Sequence, residues 1–241
     1  MARSRPPSTF DIARVKSFIR DFGVRHQTAL TRLGARQAQV FEVACATAAA
    51  DHYATNGYAI VPLNPRGLKT FKVKTGARGH PADYSRFVAT RGSDEFEIHL
   101  NCCVRSARDD GIYCVDVAVM PSGSLPRGRK KGDKWICAAN ADLVTFIEAK
   151  RLPIYPMLIA QFIGIVHEIL PLFMRRSPSA AFASQQHFLP TLVSIGSYSG
   201  NTRSIVSRFR KRRLRIRILE NFDIRLARTP TGLSAWREEQ I

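Results

Sequence analysis

The stretch GIYCVDVAVM, residues 111–120, constrains the fold of this chain most. It is apolar on both parities, as in a strand covered on both faces, yet Asp116 stands between Val115 and Val117. An ionised carboxylate inside such a strand is costly unless it is paired or holds a metal ion. The segment also reads as half of a hairpin: FEIHLNCCV, 96–104, precedes it, and Asp109-Asp110-Gly111 supplies the turn.

Around this hairpin the periodicity alternates. Residues 10–34 read as a polar, basic helical arm or helix pair. ARQAQVFEVACATAAADHYATNG, 35–57, reads as a helix ended by Asn56-Gly57, and YAIVPL, 58–63, as a short strand. A basic, turn-rich piece follows with Lys69, Lys72, Lys74 and Arg78. Residues 121–141 break every period with Pro, Gly and cations, and LVTFIEAK, 143–150, returns as a strand. A helix within 153–174, a strand at 191–196, a basic helix in NTRSIVSRFRKRR and the strand LRIRIL, 214–219, complete the order. This predicts an α/β fold in which a central mixed β-sheet is flanked by helices on both faces. The expected divisions are an N-terminal helical arm over 1–35, one main domain over 36–222 and a C-terminal tail over 223–241.

Composition narrows the class of partner. Against 19 Asp and Glu stand 37 Lys and Arg, a formal net charge of +18, which favours polyanions and nucleic acid first. The five cysteines include the adjacent pair Cys102 and Cys103 and form neither a disulfide framework nor a CxxC spacing. They read as small apolar residues in a reducing, intracellular setting, whether cytoplasm, nucleoid or nucleus. The segment 153–174 has the length of a membrane span, but Gln161, His167, Glu168 and its prolines favour a helix on a sheet, so no membrane partner is expected. MARSRPPSTFDIARVKSF lacks the apolar core of a secretory signal. An Arg-rich transit peptide is the alternative, and Asp11 and Asp21 argue against it.

In LVTFIEAK, Glu148 and Lys150 have the same parity, so they share one face, roughly 6–7 Å apart along the chain. Alone, the pair reads first as a solvent-facing ion pair at a strand end. With Asp116 in a second apolar strand, two carboxylates are available as hard oxygen ligands for Mg²⁺, and the lysine to orient the attacking water or stabilise phosphate charge.

On these residues the chain resembles the PD-(D/E)xK nuclease superfamily, the restriction-endonuclease-like fold. The matches are Asp116 in VDVAV and Glu148-Ala149-Lys150 in FIEAK, with Glu42 in QVFEVACA as the helix carboxylate and Gln161 in IAQFIGIV on the following helix. The resemblance covers residues 36–219. It departs from the pattern where Val115 replaces the proline and where 116 and 148 lie far apart, the length taken up by 121–141. It implies a Mg²⁺-dependent site, with Mn²⁺ able to substitute, held by Asp116, Glu148 and the Ala149 carbonyl. Asp116, Glu148, Lys150, Glu42 and Gln161 are the implied catalytic set. Dimerisation is common in nucleases of this fold, so a homodimer is a further expectation.

Several residues keep two readings. Glu42 is either a carboxylate facing the site or a charge on the outer face of its helix, and Gln161 reaches back to the site or lies on the wet side. Asp142 shares the parity of Glu148, but six extended residues span about 20 Å, so a turn role before the strand is favoured. Glu97 in FEIHL is a competitor whose plainer reading is a surface position on a half-exposed strand. The six histidines show no zinc spacing.

From Arg203 to Arg217 the chain carries eight cations in fifteen residues, interleaved with Ile205, Val206, Phe209, Leu214 and Ile216. Arg203, Arg208, Arg210, Lys211, Arg212 and Arg213, with Arg127, Arg129, Lys130 and Lys131 of the 121–141 loop, are the candidate nucleic-acid contacts. SIGSYSGNTRS, 194–204, leads into a helix N-terminus suited to phosphate. The function expected is hydrolysis of DNA phosphodiesters, with RNA as a further candidate substrate. The alternative is a nucleic-acid-binding module without catalysis in a ribonucleoprotein or mobile-element complex.

Overall fold

The structure, a computed structural model, describes residues 11–25, 29–30, 37–126, 128, 135–174, 187–212 and 214–222. Its elements in chain order are helix α1 (Ile12–Arg25), strand β1 (Ala29–Leu30), helix α2 (Gln37–Thr55), and strands β2 (Ala59–Leu63), β3 (Thr70–Phe71), β4 (Arg86–Arg91), β5 (Asp94–Arg105), β6 (Ile112–Pro121), β7 (Cys137–Ala138) and β8 (Thr145–Lys150). Helix α3 (Pro156–Ile169), strand β9 (Thr191–Ser194), helix α4 (Thr202–Arg212) and strand β10 (Arg217–Leu219) follow.

One mixed sheet organises the domain, in the order β10-β9-β8-β6-β5-β4-β2, with β7 added alongside β5. From β2 to β8 the neighbours are antiparallel, while β8, β9 and β10 run parallel to one another. The parallel half needs helical crossovers, and α3 and α4 supply them between β8, β9 and β10. The expected α/β class with a central mixed sheet and flanking helices is therefore what the chain adopts. No helix among the described residues is long and apolar enough to cross a membrane.

Two apolar clusters line the sheet. One joins α1 and α2 to Ile98, Leu100, Val117, Val119 and Ile147. The other joins α3 to Cys102, Val104, Val115, Ala118, Met120 and Phe146. The N-terminal segment is not a polar arm in its described part. Val15, Phe18, Ile19 and Phe22 of α1 are buried, and Phe22 meets Phe87 edge to face at 5.2 Å. Their spacing is that of an amphipathic helix whose apolar stripe runs between lysine and arginine side chains.

The cluster memberships also record a local reversal. In a regular strand, residues of one parity keep to one face. In β5, Ile98 and Leu100 join the α2 side whereas Cys102 and Val104 join the α3 side. In β6 the change falls between Val117 and Val115. Asn101 and Asp116 occupy the turning point, and the ladder that pairs Leu100 with Val117 and Cys102 with Val115 skips them. Asn101 is in the left-handed region, at φ 50°. Asparagine tolerates that region better than any β-branched residue, so the strand reverses its faces there without a glycine.

Candidate functional site

Asp116 and Glu148 come together because their strands are neighbours. The β6–β8 ladder pairs Val119 with Thr145, Ala118 with Phe146 and Val117 with Ile147, and ends there. The next rung of the same register would set Asp116 opposite Glu148. Instead the Asp116 carboxylate enters the gap, where its Oδ2 accepts the Ala149 N–H at 2.7 Å.

On the far side of β8 the Lys150 carbonyl accepts from Ile195 N. Backbone polar groups alternate sides along a strand, so Ala149 turns both its N–H and its C=O toward β6. The Ala149 carbonyl thus lies on the edge where the Asp116 carboxylate sits.

Lys150 completes the group. Its Nζ is 2.5 Å from Glu148 Oε1 and 3.5 Å from Asp116 Oδ2. The Glu148 side chain is 8 % exposed and that of Lys150 is 32 %, so the carboxyl is buried while the amine reaches the surface. Glu148 Oε2 is buried with no hydrogen-bond partner. A lone acceptor in that position carries a desolvation cost that a donor or cation would relieve.

Glu42, one of the residues with two readings, stands on α2 and is half-buried; its charge is felt by both Asp116 and Glu148. Its Oε2 accepts from Asn101 Nδ2 at 2.9 Å. The same amide donates to the Lys74 carbonyl at 3.0 Å, and Lys74 Nζ donates to the Asn101 carbonyl at 2.5 Å and to the Gly76 carbonyl. Lys74 is buried, which holds its amine below the usual lysine range.

Three carboxyls and one amine therefore lie near enough to act on one another's ionisation. Burial, then the carboxyls of Asp116 and Glu42, push Glu148 up to about 7. Burial also raises Asp116 and Glu42. Burial alone would lower Lys150, but the adjoining carboxylates of Glu148 and Asp116 outweigh it and raise the amine. With every group charged, three carboxylates face the Lys150 amine, and Arg151 acts on Glu42 from beside it.

That imbalance and the unpartnered Glu148 oxygen fit a divalent cation with hard oxygen ligands. Asp116, Glu148 and the Ala149 carbonyl are the atoms that would hold it. Among the described residues no group of three or more His, Cys, Asp and Glu side chains is already gathered as a ligand set.

The other predicted residues are placed as follows. Gln161 lies on the exposed side of α3, and no hydrogen bond or ion pair among the described residues joins it to the carboxylates. Asp142 ends a single 3-10 turn ahead of β8, a turn residue as expected. Glu97 is not at the surface. It is buried, paired with Arg86 at 2.8 Å and His99 at 2.9 Å. Its face of β5 is covered, which the alternation of FEIHL does not reveal.

Of the basic set, Arg127, Arg129, Lys130, Lys131 and Arg213 lie outside the described residues. Arg210 and Lys211 belong to α4. Arg208 and Arg212 are exposed, Arg212 lying 5.3 Å from the Phe209 ring. Arg203 is exposed but pairs with Glu220 at 2.7 Å, and the same carboxylate accepts the Tyr198 N–H at 2.8 Å. The Gly/Ser approach to α4 thus already contains an anion. Arg217 is buried in β10, so it is no part of a phosphate-facing surface.

Asn101 and Lys74 were missed as site residues. The signal for Asn101 was available: like Asp116, it is a polar residue inside an apolar strand segment. Comparison with protein-family models, curated proteins and solved structures gave no match.

Proposed function

We propose that this chain is a metal-dependent deoxyribonuclease, an endonuclease built on a restriction-endonuclease-like version of its mixed sheet. One observation carries the reading: at the end of the β6–β8 ladder, the Asp116 carboxylate, Ala149 backbone, Glu148 carboxyl and Lys150 amine converge. Supporting it are the order of α2, the antiparallel β4–β5–β6 strands, β8, α3 and the parallel β9.

In this reading Asp116, Glu148 and the Ala149 carbonyl hold Mg²⁺, with Mn²⁺ able to substitute. The ion supplies charge neutralisation at the scissile phosphate. Lys150, more exposed than Asp116 or Glu148, orients the attacking water and stabilises negative charge developing on the phosphate oxygens. Glu42, fixed by Asn101, accepts a hydrogen bond from a water on the α2 side. Exposed Arg208 and Arg212 of α4 meet the DNA backbone, where cations position a duplex without reading its sequence.

The test is incubation of the purified protein with plasmid and linear DNA in Mg²⁺, in Mn²⁺ and in EDTA, beside an RNA of matched length. Cleavage of DNA that EDTA stops, and that Asp116→Ala, Glu148→Ala and Lys150→Ala each abolish while remaining folded, is the expected result. Cleavage in EDTA, or full activity in all three variants, overturns it.

A non-catalytic nucleic-acid-binding module is the second reading. The close Lys150–Glu148 pair favours it, since that carboxylate is already neutralised by a side chain. It predicts salt-sensitive binding with no turnover in either metal.

A further inference from the structure

Beyond Asn101 and Asp116 the β5–β6 pair continues into a row of thiols. Cys103 is directly opposite Cys114 on β6 and directly opposite Cys137 on β7, so three cysteines stand side by side across three adjacent strands. Residues directly opposed across a ladder point to the same face. Cys103 and Cys137 are buried, whereas Cys114 is exposed.

The kind of rung decides what the Cys103–Cys114 pair can do. Near the turn, Ser106 N–H donates to the Gly111 carbonyl at 2.7 Å, which marks 106 and 111 as a hydrogen-bonded pair. Pairs alternate along an antiparallel ladder, so 104 with 113 is the next hydrogen-bonded rung and 103 with 114 is a non-hydrogen-bonded one. Such rungs have the closer backbones, about 4.5 Å between Cα atoms, inside the range of about 4.4–6.8 Å that a disulfide spans.

We propose that Cys103 and Cys114 form a reversible cross-strand disulfide on reaction with a small disulfide oxidant. The Cys114 thiolate, the accessible one, attacks a sulfur of the oxidant, whose S–S bond breaks and releases one thiolate. The Cys103 thiolate then attacks Cys114 Sγ and releases the second. Each protein thiol gives up its proton, so the two leaving groups end as thiols. The two cysteine sulfurs are oxidised by two electrons and the small disulfide is reduced by two.

Cys103, buried directly opposite Cys114, is placed to take the second step. The rung lies two residues from Asn101 on β5 and two from Asp116 on β6, so the bond would tie together the strands that shape the carboxylate site. The proposal does not depend on the nuclease reading.

The experiment treats the full chain with oxidised glutathione and follows intact mass, followed by peptide mapping without reduction. The expected product has lost two hydrogens, carries no glutathione, contains a Cys103–Cys114 linkage and returns to the starting mass with dithiothreitol. Cys137→Ser should still form it, and Cys114→Ser should not. A stable glutathione adduct on Cys114 alone, a Cys103–Cys137 linkage, or no reaction while the urea-unfolded chain reacts would each overturn the proposal. The wild-type map is decisive even where a serine variant fails to fold.

Discussion

Asp116 Oδ2 accepts the backbone N–H of Ala149 at 2.7 Å, so a side chain of one strand takes the place of a ladder bond to the next. The consequence is a carboxylate fixed by the backbone as well as by Lys150. The β6–β8 pairing ends at Val117 and Ile147.

Replacing Asp116 by asparagine keeps an acceptor for Ala149 N–H but removes the charge that faces Lys150. Activity should fall by about a hundredfold or more, as for loss of a charge that acts on the transition state. The melting temperature should move little. A matched loss of fold, seen by circular dichroism, would assign Asp116 to stability instead.

Stability should depend on pH through Glu148. Between 4.5 and about 7 the folded chain keeps a proton on Glu148 that the unfolded chain has released. Stability therefore falls as pH rises across that window, by up to about 3 kcal/mol. Asp116 and Glu42, also raised, act in the same direction. Urea unfolding from about pH 4 to about pH 8, which spans the window, should show the slope, and Glu148→Gln should flatten it. Mg²⁺ should offset the loss at the upper end, because ion binding favours the deprotonated carboxyls.

Asn101 tests the reversal of faces. Asn101→Ala puts a side chain poorly suited to φ 50° at that position and removes the bond to Glu42, for an expected cost of about 2–3 kcal/mol in urea unfolding. Asn101→Gly relieves the backbone part and should cost less. Equal losses would show that the amide, not the backbone, matters there.

Glu97 should behave as a buried ion-pair member. Glu97→Ala leaves His99 and the partly buried Arg86 without their shared carboxylate, and an expected loss of about 3 kcal/mol follows. Chemical denaturation measures it, and a change below about 0.5 kcal/mol would place Glu97 among ordinary surface residues.

On DNA, Arg208→Ala and Arg212→Ala should weaken binding across sequences alike. Each should lower the slope of log affinity against log salt by about one. Fluorescence anisotropy at several salt concentrations reads this directly, and an unchanged slope would remove α4 from the interface.

Much of this arrangement was legible from periodicity. The alternation of FEIHLNCCV, the apolar run GIYCVDVAVM and the turn at Asp109-Asp110-Gly111 gave the hairpin, and the Ala-rich apolar run gave α2. Strand β4 went unread because RFVATR is short and half-exposed. Helix α1 was read, but its buried face was missed because lysines and arginines interrupt its apolar stripe. Glu97 was misplaced because a strand's period shows which residues share a face but not whether that face is covered.

By itself, the sequence determined local geometry: strands where apolar residues crowd, helices where they recur every third or fourth position, and one face for Glu148 and Lys150. Those are properties of a chain's own stereochemistry within a few residues. Tertiary structure alone decided that Asp116 meets Ala149, that Asn101 reverses the faces of β5, and that Cys103 lies between Cys114 and Cys137. Each is a matter of register between strands, set by packing the whole sheet against its helices, and register has no signature in any one segment.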